Sequence, residues 1–246
     1  MEQSYQARKV LASSWEKFAQ EDPYTYILTS LKSADPGEFW QSGHRTVRDE
    51  LLPFIQARGI RQRVGMELGC GVGRLVFPLA LHFREMVGVD IAEGMVQRAQ
   101  GFARNNGIAN ARFSIISGPE DLLHRAGNYA GRIDFLYSLL VFQHIPDLAM
   151  IEGYLHVIGI LLAENGIAYL QFDTRPASLA YHIKTRMPDF LLPRFWRKGI
   201  RRIRRRPEEI ERGVRNAGLE IAGELTPLTS YHRYVLRKAS KPLVSS

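Results

Sequence analysis

The sequence predicts an α/β protein with a seven-stranded, mostly parallel sheet, helices on both faces and an antiparallel hairpin at its C-terminal end. Three observations carry this. From about residue 60 onward short apolar runs alternate with amphipathic helical patterns, the first run stops at a glycine-rich turn, and the last two runs follow each other with no helix between. With 246 residues, 45% of them hydrophobic, the chain has material for one large domain with additions rather than two independent ones.

Residues 1–59 read as an N-terminal helical extension rich in aromatics, including Tyr5, Trp15, Phe18, Tyr24, Tyr26, Phe39 and Trp40. Trp15, Phe18 and Ala19 fall at i, i+3, i+4, which predicts a short helix ending near Asp22-Pro23. From Gly43 the spacing Val47, Leu51, Phe54, Ile55 predicts a second helix ending at Gly59, kinked or broken at Pro53.

Residues 60–173 read as the core. Strands are expected at 63–68, 85–89, 111–116, 132–138 and 166–172, with Asn165-Gly166 as the turn into the last. Helices are expected at 73–83, at 92–105 closed by Asn106-Gly107, and at 151–162. Residues 174–206 form a basic insertion. Residues 207–239 return to the core with a helix over 208–217, ended by Gly218, and strands at 219–225 and 231–237; residues 240–246 are an expected disordered tail.

The lone cysteine, Cys70, excludes an intramolecular disulfide and any multi-cysteine metal or iron–sulfur site, and fits a reducing cytoplasm. The N-terminus lacks the basic-then-apolar order of a secretion signal, and no apolar run approaches the roughly 20 residues of a membrane span, so a cytoplasmic protein, at most peripheral to a membrane, is expected. The net charge of +8 is local: residues 174–206 hold eleven Lys or Arg against one acid, Asp189. His82, His124, His156, His182 and His232 show no ligand spacing, and no metal site is expected.

The turn after the first strand carries the chemistry. Residues 64–74 read Val-Gly-Met-Glu-Leu-Gly-Cys-Gly-Val-Gly-Arg, with glycines where a side chain would collide with a close ligand or forbid φ > 0. A strand, a glycine turn, a helix and an acid about 20 residues on are the general form of a nucleoside-cofactor site. A dinucleotide fingerprint needs its third glycine at position 74; here that residue is Arg74 and the glycine is Gly73. Glu67 leads the turn, and a carboxylate there suits a cationic amino group better than a phosphate. S-adenosylmethionine carries such an ammonium and NAD does not.

With these residues in place the sequence resembles the class I S-adenosylmethionine-dependent methyltransferases, small-molecule type, over about residues 60–237, and the resemblance implies a Rossmann-like core. Residues 67–74 match the family's glycine motif, implying cofactor contacts from Glu67, Gly69, Cys70, Gly71, Gly73 and Arg74. Residues 87–95 match its second-strand motif, placing Asp90 on the ribose hydroxyls with Ile91 and Met95 nearby. Residues 116–122 match the motif that frames adenine, through Pro119 and Glu120; Gly118 stands where the family commonly has a carboxylate, so adenine N6 falls to backbone or to Glu120. Residues 132–138 with 141–145 resemble the fourth-strand motif, implying that Ser138 and Leu139 pass the methionine moiety and that His144, the candidate catalytic residue, lies near the sulfonium. Whether His144 is a general base or only orients its loop stays open.

Family comparison narrows the acceptor. The Asp/Asn-Pro-Pro-Tyr of amine-methylating DNA enzymes is replaced by Ser138-Leu139-Leu140-Val141, the nucleophilic cysteine of cytosine-C5 enzymes is missing from this strand, and Tyr137-Ser138 stands where catechol-type enzymes place a metal-binding acid. The remaining expectation is methyl transfer to O or N of a small molecule, anionic or lipid-linked in one reading. The acceptor is covered by residues 1–46 and the insertion, with Tyr24, Trp40, His44, Tyr181 and Trp196 as candidate contacts. From Arg194 to Arg206 eight of thirteen residues are basic and Trp196, Ile200 and Ile203 fall at i, i+4, i+7, predicting a basic helix with one apolar stripe. Its competing readings are a solvated surface helix, contact with an anionic membrane or substrate, and RNA binding. An RNA methyltransferase and a non-catalytic S-adenosylmethionine-binding protein are the alternatives; a monomer and a homodimer are both compatible.

Overall fold

The computed structural model describes residues 2–27, 35–192 and 201–240. Its elements in order are α1 (Glu2–Glu21), α2 (Pro23–Ile27), α3 (Pro36–Thr46), a π-helical turn (Val47–Leu51), α4 (Leu52–Ala57), β1 (Val64–Leu68), α5 (Val76–Ala80), β2 (Glu85–Asp90), α6 (Glu93–Asn105), β3 (Ala111–Ile115), α7 (Pro119–Ala126), β4 (Ile133–Ser138), α8 (Leu148–Leu161), β5 (Leu162–Phe172), α9 (Leu179–Arg186), α10 (Pro207–Asn216), β6 (Leu219–Leu225) and β7 (His232–Lys238). The strands form one sheet in the order β3-β2-β1-β4-β5-β7-β6. β1 to β5 pair in parallel, and β7 runs antiparallel between β5 and β6.

Parallel strands need crossovers, and the crossover helices cover both faces with apolar side chains. Met66, Val87, Leu136 and Leu170 face α7, α8 and α10, while Met86, Phe113, Phe135 and Tyr169 face the α3–α4 segment, α5 and α6. The order reverses at β1, so the loops after β1 and β4 diverge and leave a crevice at the carboxyl ends of the strands.

Several boundaries differ from the sequence expectation. The second helix starts at Pro36, where Asp35 caps it by accepting from Gly37 N at 2.9 Å. Pro53 does not break it. A π turn with Leu52 N donating to Val47 O takes up one extra residue immediately before Pro53, and this irregularity lets the helix run on through the proline. α5 is shorter than 73–83 because residues 71–75 stay in a turn. α7 and α9 were not legible as helices. α8 passes directly into β5, and Asn165-Gly166 lies inside that strand's range, at a fold-back where the pairing with β4 jumps from Leu162 to Ile167 and Gly166 comes against Ala163.

The expected basic helix over 194–206 is corrected in its second half. Residues 201–206 are not helical: Ile203 N donates to Gln143 O at 2.6 Å, Arg205 N donates to Asp173 O at 2.9 Å, and Arg204 bridges Asp173. Pro207 disfavours a helical Arg206, which is extended at φ −74°, ψ 138°, and the backbone groups so freed pair with the ends of neighbouring elements. Residues 193–200, with Trp196 and Ile200, and the tail from 241 onward lie outside the described residues.

Candidate functional site

β1 delivers the chain into the crevice at Leu68, and three glycines turn it. Gly69 (φ +79°), Gly71 (φ +52°) and Gly73 (φ +89°) all occupy left-handed backbone. Gly69 N and Cys70 N both donate to Val89 O, at 2.7 and 3.0 Å, and Gly71 N donates to Asp90 Oδ2 at 2.7 Å, so the turn is sewn to the end of β2. Asp90 Oδ1 accepts from Ala92 N at 2.9 Å. Burial raises the Asp90 pKa, and the N–H groups of Ala92, Gly71 and Ile91 oppose that by favouring the carboxylate.

Glu67 is buried, and its Oε2 accepts from the Tyr137 hydroxyl at 3.0 Å. Burial pushes its pKa up to about 8, against the opposing pull of Arg74 and of the Tyr137 hydrogen bond. Arg74 is also buried. Its Nη1 donates to Ser42 Oγ at 3.3 Å and lies 3.5 Å from Thr46 Oγ1, while its Nε has no partner. Burial lowers the Arg74 pKa and Glu67 holds it up. A buried carboxylate and a buried, incompletely satisfied guanidinium at one turn fit a zwitterionic amino-acid group, whose ammonium and carboxylate supply the two missing charges.

These residues border one cavity. Glu67, Gly69, Cys70, Gly71 and Arg74 line it from the turn, Asp90, Ile91 and Met95 from the next loop, and Leu139 and His144 from the loop after β4. Of the remaining walls the sequence motifs took in Trp15, Ile116, Val141 and Ile145, but not Leu11, Ile27, Met150 or Tyr154. Leu11, Trp15 and Ile27 close it from α1 and α2, Ile116 from the loop after β3, and Leu140, Val141, Ile145, Met150 and Tyr154 from the β4–α8 region. Leu140 is left-handed at φ +63°, a conformation an apolar side chain rarely adopts and one that often marks functional loops. Helical spacing of Leu11 and Trp15 was the available signal for α1; nothing local marked Tyr154 or Met150.

Other candidates lie elsewhere. Gly73 faces Phe77, and Ser138 donates to Leu68 O at 2.8 Å inside the sheet. Pro119 packs against Gly153 at the start of α7. Glu120, 74% exposed, pairs with Arg8 at 2.8 Å. A Cβ on Gly118 would stand 2.9 Å from Arg8 Nη1, so Arg8 occupies the space in which the family's carboxylate would sit. Tyr24 packs on Phe39 and Trp40, Trp40 stacks on Phe102, and His44 is exposed, all away from the cavity. Tyr181 accepts from Arg204 N at 3.0 Å and lies under the Arg204 guanidinium.

His144 edges Trp15, ring centroids 5.5 Å apart. Its Nδ1 lies 3.3 Å from Arg201 O and its Nε2 3.2 Å from the Gln143 amide nitrogen. A ring protonated on Nδ1 would satisfy both contacts, donating to the Arg201 carbonyl and accepting from the Gln143 amide. Cys70 is buried, and burial with Asp90 and Glu67 nearby raises its pKa far above the ordinary thiol value, which leaves it a filler rather than a nucleophile. Among the described residues no three His, Cys, Asp or Glu side chains gather as a metal site, and no helix is long and apolar enough to cross a membrane.

A sheet of this order, with a glycine turn after β1 and an acid closing β2, defines an α/β domain built around a nucleoside cofactor. Residues 66–168 match the family described as "Methyltransferase domain", which supports a class I S-adenosylmethionine-dependent methyltransferase with S-adenosylmethionine as cofactor. It is 38% identical over 102 residues to a 23S rRNA (uracil(1939)-C(5))-methyltransferase of Aeromonas hydrophila, covering 40% of this chain and 23% of that protein. It is 28% identical over 176 residues to a ubiquinone biosynthesis O-methyltransferase of Methylococcus capsulatus, covering 70% of each. The chain thus spans about a quarter of the rRNA enzyme. The fold is shared with the magnesium protoporphyrin IX methyltransferase of Synechocystis PCC 6803 solved with bound S-adenosylhomocysteine, at a TM-score of 0.59, 20% identity, 91% of this chain and 97% of that one.

Proposed function

We propose that the protein transfers the methyl group of S-adenosylmethionine to an oxygen or nitrogen of a small, apolar-bodied acceptor. The observation that supports this most is the apolar share of the cavity wall: Leu11, Trp15, Leu140, Val141, Met150 and Tyr154 line the same cavity as the cofactor residues and His144. Glu67 and Arg74 would hold the amino-acid end of the cofactor, Asp90 the ribose, and Ile91, Met95 and Ile116 the base. The bound cofactor supplies an activated methyl on a positive sulfur. The protein's part is to hold the acceptor in line and exclude water. His144 lines the same cavity and would take up the acceptor's proton through its ring nitrogen.

In this reading residues 1–59 are the lid and residues 174–206 the acceptor-side insertion, with Trp15 of the first and Arg201, Ile203 and Arg205 of the second touching the β4–α8 loop. Similarity to the ubiquinone O-methyltransferase extends over much more of this chain than similarity to the rRNA enzyme, favouring a small-molecule, lipid-linked acceptor. A buried free thiol fits a cytoplasmic setting. The test is incubation with methyl-labelled S-adenosylmethionine and cell extract, fractionated into lipid, aqueous small molecules, RNA and protein. Label in the lipid or small-molecule fraction is expected. Label in RNA overturns the reading, and intact cofactor binding without transfer to any fraction assigns a non-catalytic binder.

A further inference from the structure

We propose that α9 and the 3-10 turn after it form a docking face for an anionic phospholipid bilayer. α9 buries none of its residues. A helix of two turns gains little from its own hydrogen bonds and normally persists by burying an apolar stripe. Here the stripe points outward. Leu179 and Ile183, one turn apart, are 77% and 55% exposed, and Phe190 and Leu191 in the next turn are 79% and 56% exposed. Four of the nine large apolar side chains exposed among the described residues thus fall within 13 consecutive positions. Scattered single ones need no explanation, whereas a cluster does.

The opposite side of α9 is tied down. Tyr181, two positions from Leu179 and so across the helix from it, accepts from Arg204 N at 3.0 Å; Arg201 Nη1 donates to Thr185 O at 3.1 Å, and Ser178 caps the first turn by accepting from Tyr181 N at 3.2 Å. The helix is therefore held in a fixed orientation with its apolar edge away from the domain.

Charge selects the occupant. Lys184 and Arg186 stand on α9 itself, Arg201 and Arg204 bond to it, and residues 174–206 as a sequence hold eleven Lys or Arg against one acid. A basic segment with protruding aliphatic and aromatic groups matches an anionic headgroup layer over hydrocarbon. Nucleic acid fits less well, because three of the four protruding apolar side chains, Leu179, Ile183 and Leu191, are aliphatic and offer a base no ring to stack on. The face is also well placed. α9 follows the carboxyl end of β5, the end at which the cavity opens, and Arg201 O touches His144 Nδ1, so docking would bring the cavity to the bilayer surface.

The test uses the full-length protein and co-sedimentation with vesicles of phosphatidylcholine alone or with phosphatidylglycerol added, at low and high salt, with total RNA in parallel. Binding to the anionic vesicles only, weakened by salt, is expected. The variant L179D/I183D/F190D alters exposed side chains alone; it is expected to lose at least tenfold in vesicle affinity with unchanged circular dichroism and unchanged S-adenosylhomocysteine binding by calorimetry. Absence of vesicle binding, equal binding to neutral vesicles, undiminished binding of the triple variant, or binding to RNA in place of vesicles each overturns the proposal. Cofactor binding is read separately, so its failure is distinguishable from that of the methyltransferase reading.

Discussion

Tyr137 donates its hydroxyl to Glu67 at 3.0 Å between two adjacent parallel strands, with both side chains buried. The Tyr137 hydroxyl lies fully inside the sheet, so Glu67 is the partner that satisfies it. The bond favours the Glu67 carboxylate, yet burial outweighs it and the group titrates at about 8. In the empty protein at neutral pH Glu67 is therefore mostly protonated.

A ligand ammonium prefers the ionised form, so binding must expel that proton. S-adenosylhomocysteine affinity is expected to rise between pH 6 and 8, at most about tenfold per unit, and to level off above. Glu67→Gln flattens the profile. The stability of the free protein moves the other way: the native state keeps a proton that the unfolded chain releases above about pH 4.5, so stability falls as pH rises toward 8. Glu67→Gln is expected to raise the Tm of the cofactor-free protein at pH 8, by roughly 2–4 °C per kcal/mol relieved. Calorimetry and thermal melts at three pH values check both.

Asp90 holds the turn and faces the cavity. Asp90→Ala is expected to weaken S-adenosylhomocysteine binding at least tenfold, about 1.4 kcal/mol. Unchanged affinity in calorimetry would remove Asp90 from the site.

Gly43 lies in α3 against Arg74. An added Cβ would run into the Arg74 carbonyl oxygen and stand 2.9 Å from its Cγ. Helix propensity alone favours Gly→Ala by about 1 kcal/mol. The contact reverses the sign: Gly43→Ala is expected to destabilise by about 1–3 kcal/mol, as overpacking does, and to weaken cofactor binding. Chemical denaturation decides, since a more stable variant contradicts the packing.

His232 links Thr174 Oγ1 and Glu224 Oε2, both at 2.9 Å. Burial lowers its pKa below 6.5, against Glu224, which favours the charged ring. The unfolded chain takes up a proton below pH 6.5 that the native ring resists, so this group's stabilisation is present above 6.5 and lost as pH falls. His232→Gln is expected to reduce the stability slope between pH 6.5 and 5, measured by urea midpoints.

Trp15 forms a wall of the cavity and edges His144. Trp15→Ala is expected to weaken S-adenosylhomocysteine binding several-fold and to speed proteolysis within α1. Equal cleavage with and without ligand would argue that α1 does not act as a lid.

The strands and the Glu67–Asp90 pair were readable because they are local: a strand needs only its own apolar run, and the turn only its glycines. The partners of Arg74 were not, since Ser42, Gly43 and Thr46 lie some thirty positions upstream and meet it only through tertiary packing. Arg8 replacing the carboxylate expected near Gly118 is equally non-local. The 201–206 misreading arose because helical periodicity in Ile200 and Ile203 says nothing of Gln143 and Asp173, whose carbonyls capture that backbone.

The π-helical turn Val47–Leu51 amounts to an inserted residue that the helix carries at all times. Deleting one residue there would restore ordinary helix pitch and swing everything upstream by about 100° relative to α4. Ser42 and Thr46 would leave Arg74, while Glu50, bound to Tyr169 at 2.9 Å and to Arg233, would lose its place over the sheet. One codon thus sets the phase between α3 and the glycine turn that Arg74 closes, and a single-residue deletion would strike the binding site harder than the sheet beneath it.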